Sequence, residues 1–262
     1  RRGDFLSGKS VCWKVDELQQ CGCDSADRWM CRLSGVQKSI DGRTRMELRR
    51  LEEQEHQKTR KLWEEVFSDD TRAFLDYYYF IKTKENEIWV IEEDGEIQSM
   101  LQLNPYQLQV AEHPFLCRYI IAVATRAQYR SRGYMSSLLR KAMQEMYGKK
   151  EPFTFLMPAA EAIYTPYDFR FVYSQRQAVF EKKAETELIE EEDATMFQAE
   201  ELAAFAKERL FGTARVYAVR DAHYYQTRVL EQQSENGGIR MLKKTESWWG
   251  FTAMQKRKPA KF

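Results

Sequence analysis

The sequence contains no long apolar run and no excess of one charge. No stretch of about 18 apolar residues is present to span a bilayer, and the first residues lack the apolar core of a signal peptide. These two features predict a cytoplasmic protein that has no membrane partner. Its 41 basic residues nearly balance 40 acidic residues, which gives a formal net charge of +1. Without a cluster of uncompensated Lys and Arg, the composition argues against nucleic acid as a partner.

Paired cysteines at zinc-binding spacing are also missing. Four of the five cysteines fall in the first 31 residues, but their spacing, C-x8-C-x-C-x7-C, contains no C-x2-C pair. The three histidines, His56, His113 and His223, are scattered and form no triad or metal pattern. We therefore predict no metal site.

Residues 1–45 show no sustained hydrophobic periodicity and are rich in Gly, Ser, Asp and Arg. They are predicted to be a poorly ordered leader, with Met46 as the natural start. Residues 46–183 then predict one domain, in the order helix, helix, hairpin, strand, helix, strand. The hairpin is indicated by Asp94-Gly95 between two β-type runs, and the central strand by the apolar run at 117–124. The clearest amphipathic helix covers 133–147.

Residues 184–262 repeat the opening of this pattern as helix, helix, strand, strand, and then end in a short basic tail. We interpret them as a partial second domain of marginal stability on its own, because an unfinished sheet leaves apolar surface and open edges. The predicted fold class is thus α/β (α+β), with a mixed central sheet flanked by helices.

One junction has the form of a phosphate site. A buried strand that ends in a basic, Gly-containing turn and runs into a helix can direct backbone N–H groups at an anion. Residues 128–136 (QYRSRGYMS) have this form: Gly133 allows close approach, and Arg130 and Arg132 can offset phosphate charge. The segment is neither a Walker P-loop nor a Rossmann fingerprint, since it contains a single glycine.

Residues 119–125 (YIIAVAT) and 129–139 (YRSRGYMSSLL) resemble the cofactor motif of GNAT acetyltransferases, whose core is Arg/Gln-x-x-Gly-x-Gly/Ala. Arg130 and Gly133 match it, and Met135 replaces the usual Gly or Ala. The resemblance implies a GNAT fold with acetyl-CoA as co-substrate and no metal. It also implies that one main-chain strand segment contacts the pantetheine arm and acetyl carbonyl, and that residues 126–134 bind the pyrophosphate. The predicted cofactor-binding residues are Ile121, Ala122, Val123, Gln128, Tyr129, Arg130, Ser131, Arg132, Gly133, Tyr134 and Met135.

Residues 160–169 (AEAIYTPYDF) resemble the family segment A-x-x-x-Y-x-x-x-G-F, in which the tyrosine protonates the departing thiolate. The resemblance implies Tyr164 as the general acid, with Tyr167 as the neighbouring competitor. Asp168 stands in place of the glycine, and Asp also adopts turn conformations. Glu161, one turn before Tyr164, is the candidate base, although a solvated carboxylate or a helix cap fits it equally well.

The longer segment 153–164 (FTFLMPAAEAIY), together with the second helix–helix–strand unit, resembles the enhanced intracellular survival (Eis-like) branch of the family. In that branch two GNAT-type domains precede a sterol-carrier-like domain, whose C-terminal carboxylate serves as the base, so this chain is interpreted as truncated in the second domain. The resemblance implies acetyl transfer to a primary amine on a small polyamine, an aminoglycoside-like compound or a lysine side chain. The alternative is a non-catalytic acyl-CoA-binding regulatory or assembly module. The oligomeric state is left open, a homo-oligomer included.

Overall fold

The computed structural model describes residues 9–14, 46–174, 190–210, 214–244 and 247–254. The chain divides into two compact units. The first unit consists of Arg1–Asp69, Glu85–Tyr106 and Phe115–Gln177, and the second of Asp70–Lys84, Gln107–Pro114 and Ala178–Phe262.

The described residues form eleven strands and six α-helices. The strands are β1 (Lys9–Lys14), β2 (Met46–Arg50), β3 (Glu87–Glu93), β4 (Glu96–Val110), β5 (His113–Thr125), β6 (Phe153–Leu156), β7 (Arg170–Ser174), β8 (Glu190–Asp193), β9 (Val216–Ala218), β10 (Gly238–Lys244) and β11 (Ser247–Met254). The α-helices are α1 (Arg60–Val66), α2 (Arg72–Phe80), α3 (Tyr134–Gly148), α4 (Glu161–Tyr164), α5 (Ala199–Leu210) and α6 (Ala222–Ser234). Short 3-10 turns cover Glu53–Thr59, Lys82–Glu85, Ala127–Tyr129, Thr165–Tyr167 and Met196–Gln198.

The first unit is built on a mixed sheet of order β2-β3-β4-β5-β6-β1-β7. Strands β5 and β6 pair in parallel, whereas β2–β3, β3–β4, β6–β1 and β1–β7 pair antiparallel. A parallel pair needs a crossover connection, and helix α3 supplies it between β5 and β6. The predicted mixed sheet with helices is confirmed.

Strand β1 differs from the sequence prediction. Residues 1–45 are predicted to lie outside the domain, yet Lys9–Lys14 pairs with β6 on one side and with β7 on the other. This segment therefore belongs to the sheet, and its pairing partners lie about 140 to 165 residues away, beyond the reach of any local pattern. Residues 1–8 and 15–45 lie outside the described residues, so for them the leader remains a prediction.

The hairpin between β3 and β4 turns at Asp94-Gly95, as predicted. Glu93 pairs with Glu96, and the two loop residues have φ of 54° and 79°. Two consecutive positive φ values are what a tight type I′ turn requires, and Gly95 adopts this conformation without a side-chain clash.

Helix α3 covers the sheet with the apolar face that its sequence predicts. Leu138, Leu139 and Ala142 are fully buried, and they pack with Ile120 of β5 and Leu156 of β6 in one cluster. This cluster, which also includes residues of β3 and β4, is the core of the first unit and holds the helix against one face of the sheet.

The second unit contains a three-stranded antiparallel sheet of order β11-β10-β8. Its core cluster includes Leu202, Tyr225, Val229, Ile239 and Met241. The predicted helices and strands of residues 184–262 are present with similar bounds. Helix α2, predicted within the first domain, groups instead with this unit, and β9 pairs with the end of β4.

The predicted boundary between residues 183 and 184 lies outside the described residues, so the domain limits stay a prediction. In the described part of the chain, no helix has both the length and the apolar character needed to cross a bilayer.

Candidate active site

Strand β5 extends beyond its short pairing with β6, and we refer to the part of its edge at 121–125 that faces away from β4 as the β5–β6 cleft. The two strands pair only from Arg118 opposite Thr154 to Ile120 opposite Leu156. Strand β6 ends at Leu156, while β5 continues to Thr125. In the described residues, the β6-facing edge of β5 is therefore unpaired beyond Ile120, and its backbone groups are available to a ligand. The predicted main-chain contacts, Ile121, Ala122 and Val123, lie on this edge.

Strand β5 carries an irregularity at the cleft. Ile120 and Val123 both contact the core cluster under α3, although they are three positions apart. Side chains of a regular strand alternate between faces, so an odd spacing on one face requires one extra residue. Ala122 supplies it with a left-handed φ of 52°, a conformation that costs a non-glycine residue about 1–2 kcal/mol. The extra residue changes the direction of the β5 main chain where the cleft begins.

The turn after β5 leads into the N-terminus of α3, where the first backbone amides have no hydrogen-bond partner inside the helix. Gly133 is the N-cap of α3 with φ of 82°, and within the described residues no side chain caps this end. The first backbone bond of the helix runs from Ser137 N–H to the Gly133 carbonyl at 3.0 Å. The amides of Tyr134 and Met135 therefore have no partner inside the helix. A Cβ on Gly133 would meet nothing within 4 Å, so the N-cap itself lies in open space.

Arg126, which was predicted to help bind pyrophosphate, is used inside the protein. It is only 7% exposed. Its guanidinium donates to Glu65 at 3.0 Å, to Glu96 at 2.7 Å and to Gln98 at 3.1 Å. The same guanidinium lowers the pKa of the Glu96 carboxyl. Arg126 therefore anchors the root of the turn to α1 and the hairpin, and its charge is not free for a phosphate.

Arg130 and Arg132 remain at the surface of the turn. Arg130 Nε donates to the Thr125 carbonyl at 3.2 Å. The Arg132 guanidinium lies 4.6 Å from the ring centroid of Tyr129, which stacks on Tyr134. Both arginines are exposed, so each can turn toward an anion at the helix terminus.

The remaining predicted cofactor residues divide by exposure. Gln128 and Ser131 are exposed, and Ser131 has a left-handed φ of 60°. Tyr134 is buried, and its hydroxyl donates to Glu93 at 3.0 Å. Burial, with a smaller contribution from that carboxylate, raises the pKa of Tyr134. Met135 is half-buried, so Tyr134 and Met135 offer a ligand mainly their backbone N–H groups.

The two predicted catalytic residues line one pocket. Tyr164 is 8% exposed and packs edge-on against Phe169 at 5.8 Å between ring centroids. Burial raises the pKa of Tyr164 to about 12, so its hydroxyl keeps its proton at neutral pH. Glu161 is exposed and shares with Tyr164 a cavity of about 210 Å³. Asp168 has a left-handed φ of 62°, the conformation for which the resemblance places a glycine there.

Sequence reasoning missed Tyr119 as a site residue. Its ring packs against Phe155 of β6, with 5.1 Å between ring centroids. Burial raises the pKa of Tyr119 to about 12, and the nearby Tyr164 adds to this shift. Tyr119 is the first residue of the segment 119–125 (YIIAVAT) and its only aromatic residue, and this was the signal in the sequence. Among the described residues no cluster of His, Cys, Asp or Glu is suited to a metal ion.

Three features together define the GNAT fold: the parallel strands β5 and β6 that part, the slip within β5, and the uncapped N-terminus of α3 that follows β5. The comparisons agree. Residues 47–172 match the family model described as an acetyltransferase (GNAT) domain. This part of the chain therefore has the GNAT fold and matches the GNAT acetyltransferase domain family.

Solved structures share this fold at low sequence identity. A probable N-acyltransferase of unknown function from Enterococcus faecalis aligns with a TM-score of 0.62 and 13% identity, over 80% of this chain and 55% of that one. A GCN5-related N-acetyltransferase from Anabaena variabilis gives a TM-score of 0.59 and 13% identity, over 82% and 56%. Eis1 from Mycobacterium abscessus gives 0.57 and 15%, over 82% and 54%. The chain thus spans about half the length of these proteins. No curated protein sequence matches it significantly.

Proposed function

We propose that the protein is an acetyl-CoA-dependent N-acetyltransferase that transfers the acetyl group directly to a primary amine. The observation that carries this proposal is the uncapped terminus of α3 beside the β5–β6 cleft, with a buried and protonated Tyr164 in the same unit. The GNAT domain match at 47–172 supports the same reaction class.

The junction fits the donor in chemistry. Free amides of Tyr134 and Met135, the open space at Gly133 and the exposed Arg130 and Arg132 suit a pyrophosphate. The unpaired edge of β5 offers main-chain donors and acceptors to the amides of a pantetheine arm and to a thioester carbonyl. The half-buried Met135 replaces a small residue of the motif without removing its own N–H.

Tyr164 is proposed as the general acid. As the amine nitrogen bonds to the acetyl carbon, the carbon–sulfur bond breaks and the departing sulfur takes a proton from the Tyr164 hydroxyl. The nitrogen loses one proton to solvent as it becomes an amide, and solvent protonates the Tyr164 phenolate again. A pKa of about 12 ensures that this proton is present at neutral pH. An alkylamine has a pKa near about 10.4 in water, so its own proton must be lost before attack. Glu161, exposed in the same pocket, is the proposed acceptor of that proton, directly or through water.

The proposed acceptors are small polyamines, aminoglycoside-like compounds and lysine side chains. The exposed carboxylate of Glu161 at the pocket favours a cationic amine over a neutral or anionic acceptor. Membership of the Eis-like branch belongs to the same proposal. It is supported by segment 153–164 and by the shared fold with Eis1.

The second candidate function is an acyl-CoA-binding regulatory or assembly module without turnover. Met135, at a motif position that usually holds Gly or Ala, favours this alternative. It predicts acetyl-CoA binding in the absence of any acetylated product, whereas the enzyme predicts both.

Calorimetric titration with acetyl-CoA tests the donor site, using a matched pair of variants. Gly133→Asn and Gly133→Asp place side chains of nearly equal size at the same left-handed position, which both residues tolerate. The Asp carboxylate adds a negative charge where the pyrophosphate is proposed to bind. We expect it to weaken binding by about tenfold or more beyond Asn. Equal affinities for the wild type and both variants would show that the donor binds elsewhere.

Turnover with a panel of primary amines tests the reaction itself. We expect Tyr164→Phe to lower kcat on the order of a hundredfold while acetyl-CoA affinity is kept, because the lost hydroxyl acts in the transition state. Full activity of this variant would remove Tyr164 from the mechanism. Binding without product from any amine would favour the non-catalytic module.

A further inference from the structure

Three arginines lie in the turn between β5 and α3, and the structure holds each of them differently. Arg126 is buried in ion pairs with two carboxylates. Arg130 is exposed, and its Nε donates to the Thr125 carbonyl at 3.2 Å. Arg132 is also exposed, and its guanidinium lies over the ring of Tyr129, 4.6 Å from the ring centroid. Of the two exposed arginines, Arg132 is therefore the one that an aromatic ring holds.

The ring of Tyr129 is itself fixed by the first unit. It packs against the core cluster under α3 and stacks on Tyr134, with 6.0 Å between ring centroids and 29° between the ring planes. Tyr134 is 9% exposed, and its hydroxyl donates to Glu93 at 3.0 Å. A continuous series of contacts thus runs from the β3–β4 hairpin through both tyrosines to Arg132.

The backbone of the turn places Arg132 beside the N-terminus of α3. Two left-handed residues flank it, Ser131 with φ of 60° and the N-cap Gly133 with φ of 82°. This conformation is unfavourable for a non-glycine residue such as Ser131, so it persists only where the surrounding contacts fix the backbone. Arg132 directly precedes the N-cap, and its long side chain can reach an anion that binds at the first amides of the helix.

A ring is a suitable support for an arginine that binds phosphate. A cation–π contact arises from attraction to the face of the ring and uses no particular N–H donor, so the guanidinium can still donate to phosphate oxygens. An exposed arginine loses much of its rotamer freedom when it binds an anion. A ring that already restricts the side chain shifts part of this entropy loss from binding to folding, which strengthens binding.

We propose that Tyr129 is a positioning residue that holds the Arg132 guanidinium beside the N-terminus of α3, ready for the pyrophosphate of the donor. This inference rests on the proposed function. In this role Tyr129 acts through Arg132 rather than by its own contact with the pyrophosphate. Removing the ring should therefore weaken donor binding only while Arg132 is present.

A double-mutant cycle measured by calorimetric titration with acetyl-CoA tests this dependence. Tyr129→Leu removes the ring and keeps an apolar side chain against the core, and we expect it to raise the Kd about threefold. Arg132→Gln should raise the Kd about tenfold, because a charge-assisted contact is lost. The variant with both changes should bind as Arg132→Gln does. A further threefold loss in that double variant overturns the proposal.

Arg130→Gln is the matched control, since it removes the same charge from the same turn at a residue that hydrogen-bonds to a carbonyl. In this background Tyr129→Leu should still raise the Kd about threefold. Equal coupling of Tyr129 to both arginines would mean that the ring shapes the whole turn, and would overturn the proposal. Tyr129→Phe keeps the ring, so its Kd should rise less than that of Tyr129→Leu. Equal losses in these two variants would assign the effect to the hydroxyl and also overturn it.

A second measurement leaves Tyr129 unchanged and needs only the folded wild type and Arg132→Gln. In NMR spectra of arginine-labelled protein, the side-chain signal that disappears in Arg132→Gln belongs to Arg132. The ring current of Tyr129 should shift this signal upfield of the values for exposed arginines, and inorganic pyrophosphate should move it. An unshifted signal overturns the contact on which the proposal depends.

Failure of this inference is distinguishable from failure of the proposed function. A folded wild type that does not bind acetyl-CoA would overturn the proposed function, and this inference with it. A wild type that binds acetyl-CoA, with independent losses for Tyr129→Leu and Arg132→Gln, would overturn this inference alone.

Discussion

Replacing Tyr164 with phenylalanine should make the protein less sensitive to alkali. The folded protein holds the pKa of Tyr164 at about 12, against an ordinary value of 10.0. As pH rises through 10, the unfolded chain loses this proton first, so the folded state binds more protons and stability falls. The full shift of two units corresponds to about 2.7 kcal/mol, and about 1.4 kcal/mol of it is lost by pH 11.

Urea unfolding of the wild type and Tyr164→Phe at pH 9, 10 and 11 measures this difference. The free energy of unfolding of the variant should fall by about 1.4 kcal/mol less over this range than that of the wild type. Tyr147→Phe, at an exposed position of α3, is the control and should follow the wild type. Equal slopes for Tyr164→Phe and the wild type would refute the argument that burial keeps this hydroxyl protonated.

Four further variants test side-chain packing, backbone conformation and ion pairing in the first unit. Leu139→Ala removes a fully buried side chain under α3 and should lower the free energy of unfolding by on the order of 3 kcal/mol in urea; a loss below about 1 would contradict close packing there. Gly95→Ala, at φ 79°, should lower the free energy of unfolding by about 1 kcal/mol. Gly148→Ala, in α3 with open space around its Cβ, should raise it by up to about 0.5 kcal/mol. Effects of equal sign would contradict this reasoning. Arg126→Gln should lower the free energy of unfolding by on the order of 2 kcal/mol and weaken acetyl-CoA binding in calorimetry. An unchanged affinity would mean that Arg126 does not hold the turn in the conformation that binds acetyl-CoA.

Local patterns predicted the central elements of the first unit well. The apolar run at 117–124 lies within β5, and the helix predicted over 133–147 is α3, from Tyr134 to Gly148. Both are long and strongly patterned, so tertiary contacts had little to override. The hairpin turn followed from two residues, because only a few residue types tolerate consecutive positive φ values. Strand β4, in contrast, has 15 residues, Glu96–Val110, whereas the β-type run in the sequence covers only 98–103.

Features that depend on distant partners could not be predicted. The strand Lys9–Lys14 joins the sheet between two strands from the other end of the first unit. From the sequence, Arg126 is a candidate phosphate ligand. In the folded chain, α1 and the hairpin place Glu65 and Glu96 against it, and both carboxylates form ion pairs with it. Neither arrangement leaves a mark in the neighbouring sequence, because the partners are set by the fold rather than by spacing.

The candidate site shows the same division. The motif around Gly133 predicted the uncapped helix terminus, since a glycine at this point both permits a positive φ and leaves space for a ligand. The left-handed Ala122 was not predicted, because alanine has no preference for that conformation. The packing of Tyr119 against Phe155 depends on the register of β5 against β6, which only the structure gives.

Core packing and the candidate site require different lengths of β5 at Ala122. If the strand were one residue shorter here, Ile120 and Val123 would fall two positions apart and would still share the face toward α3. The core therefore has no need of the additional residue, and losing it would relieve the left-handed backbone. What the shorter strand would forfeit is the altered direction of its main chain at the cleft. Folding favours one strand length at this point, and the proposed chemistry favours another.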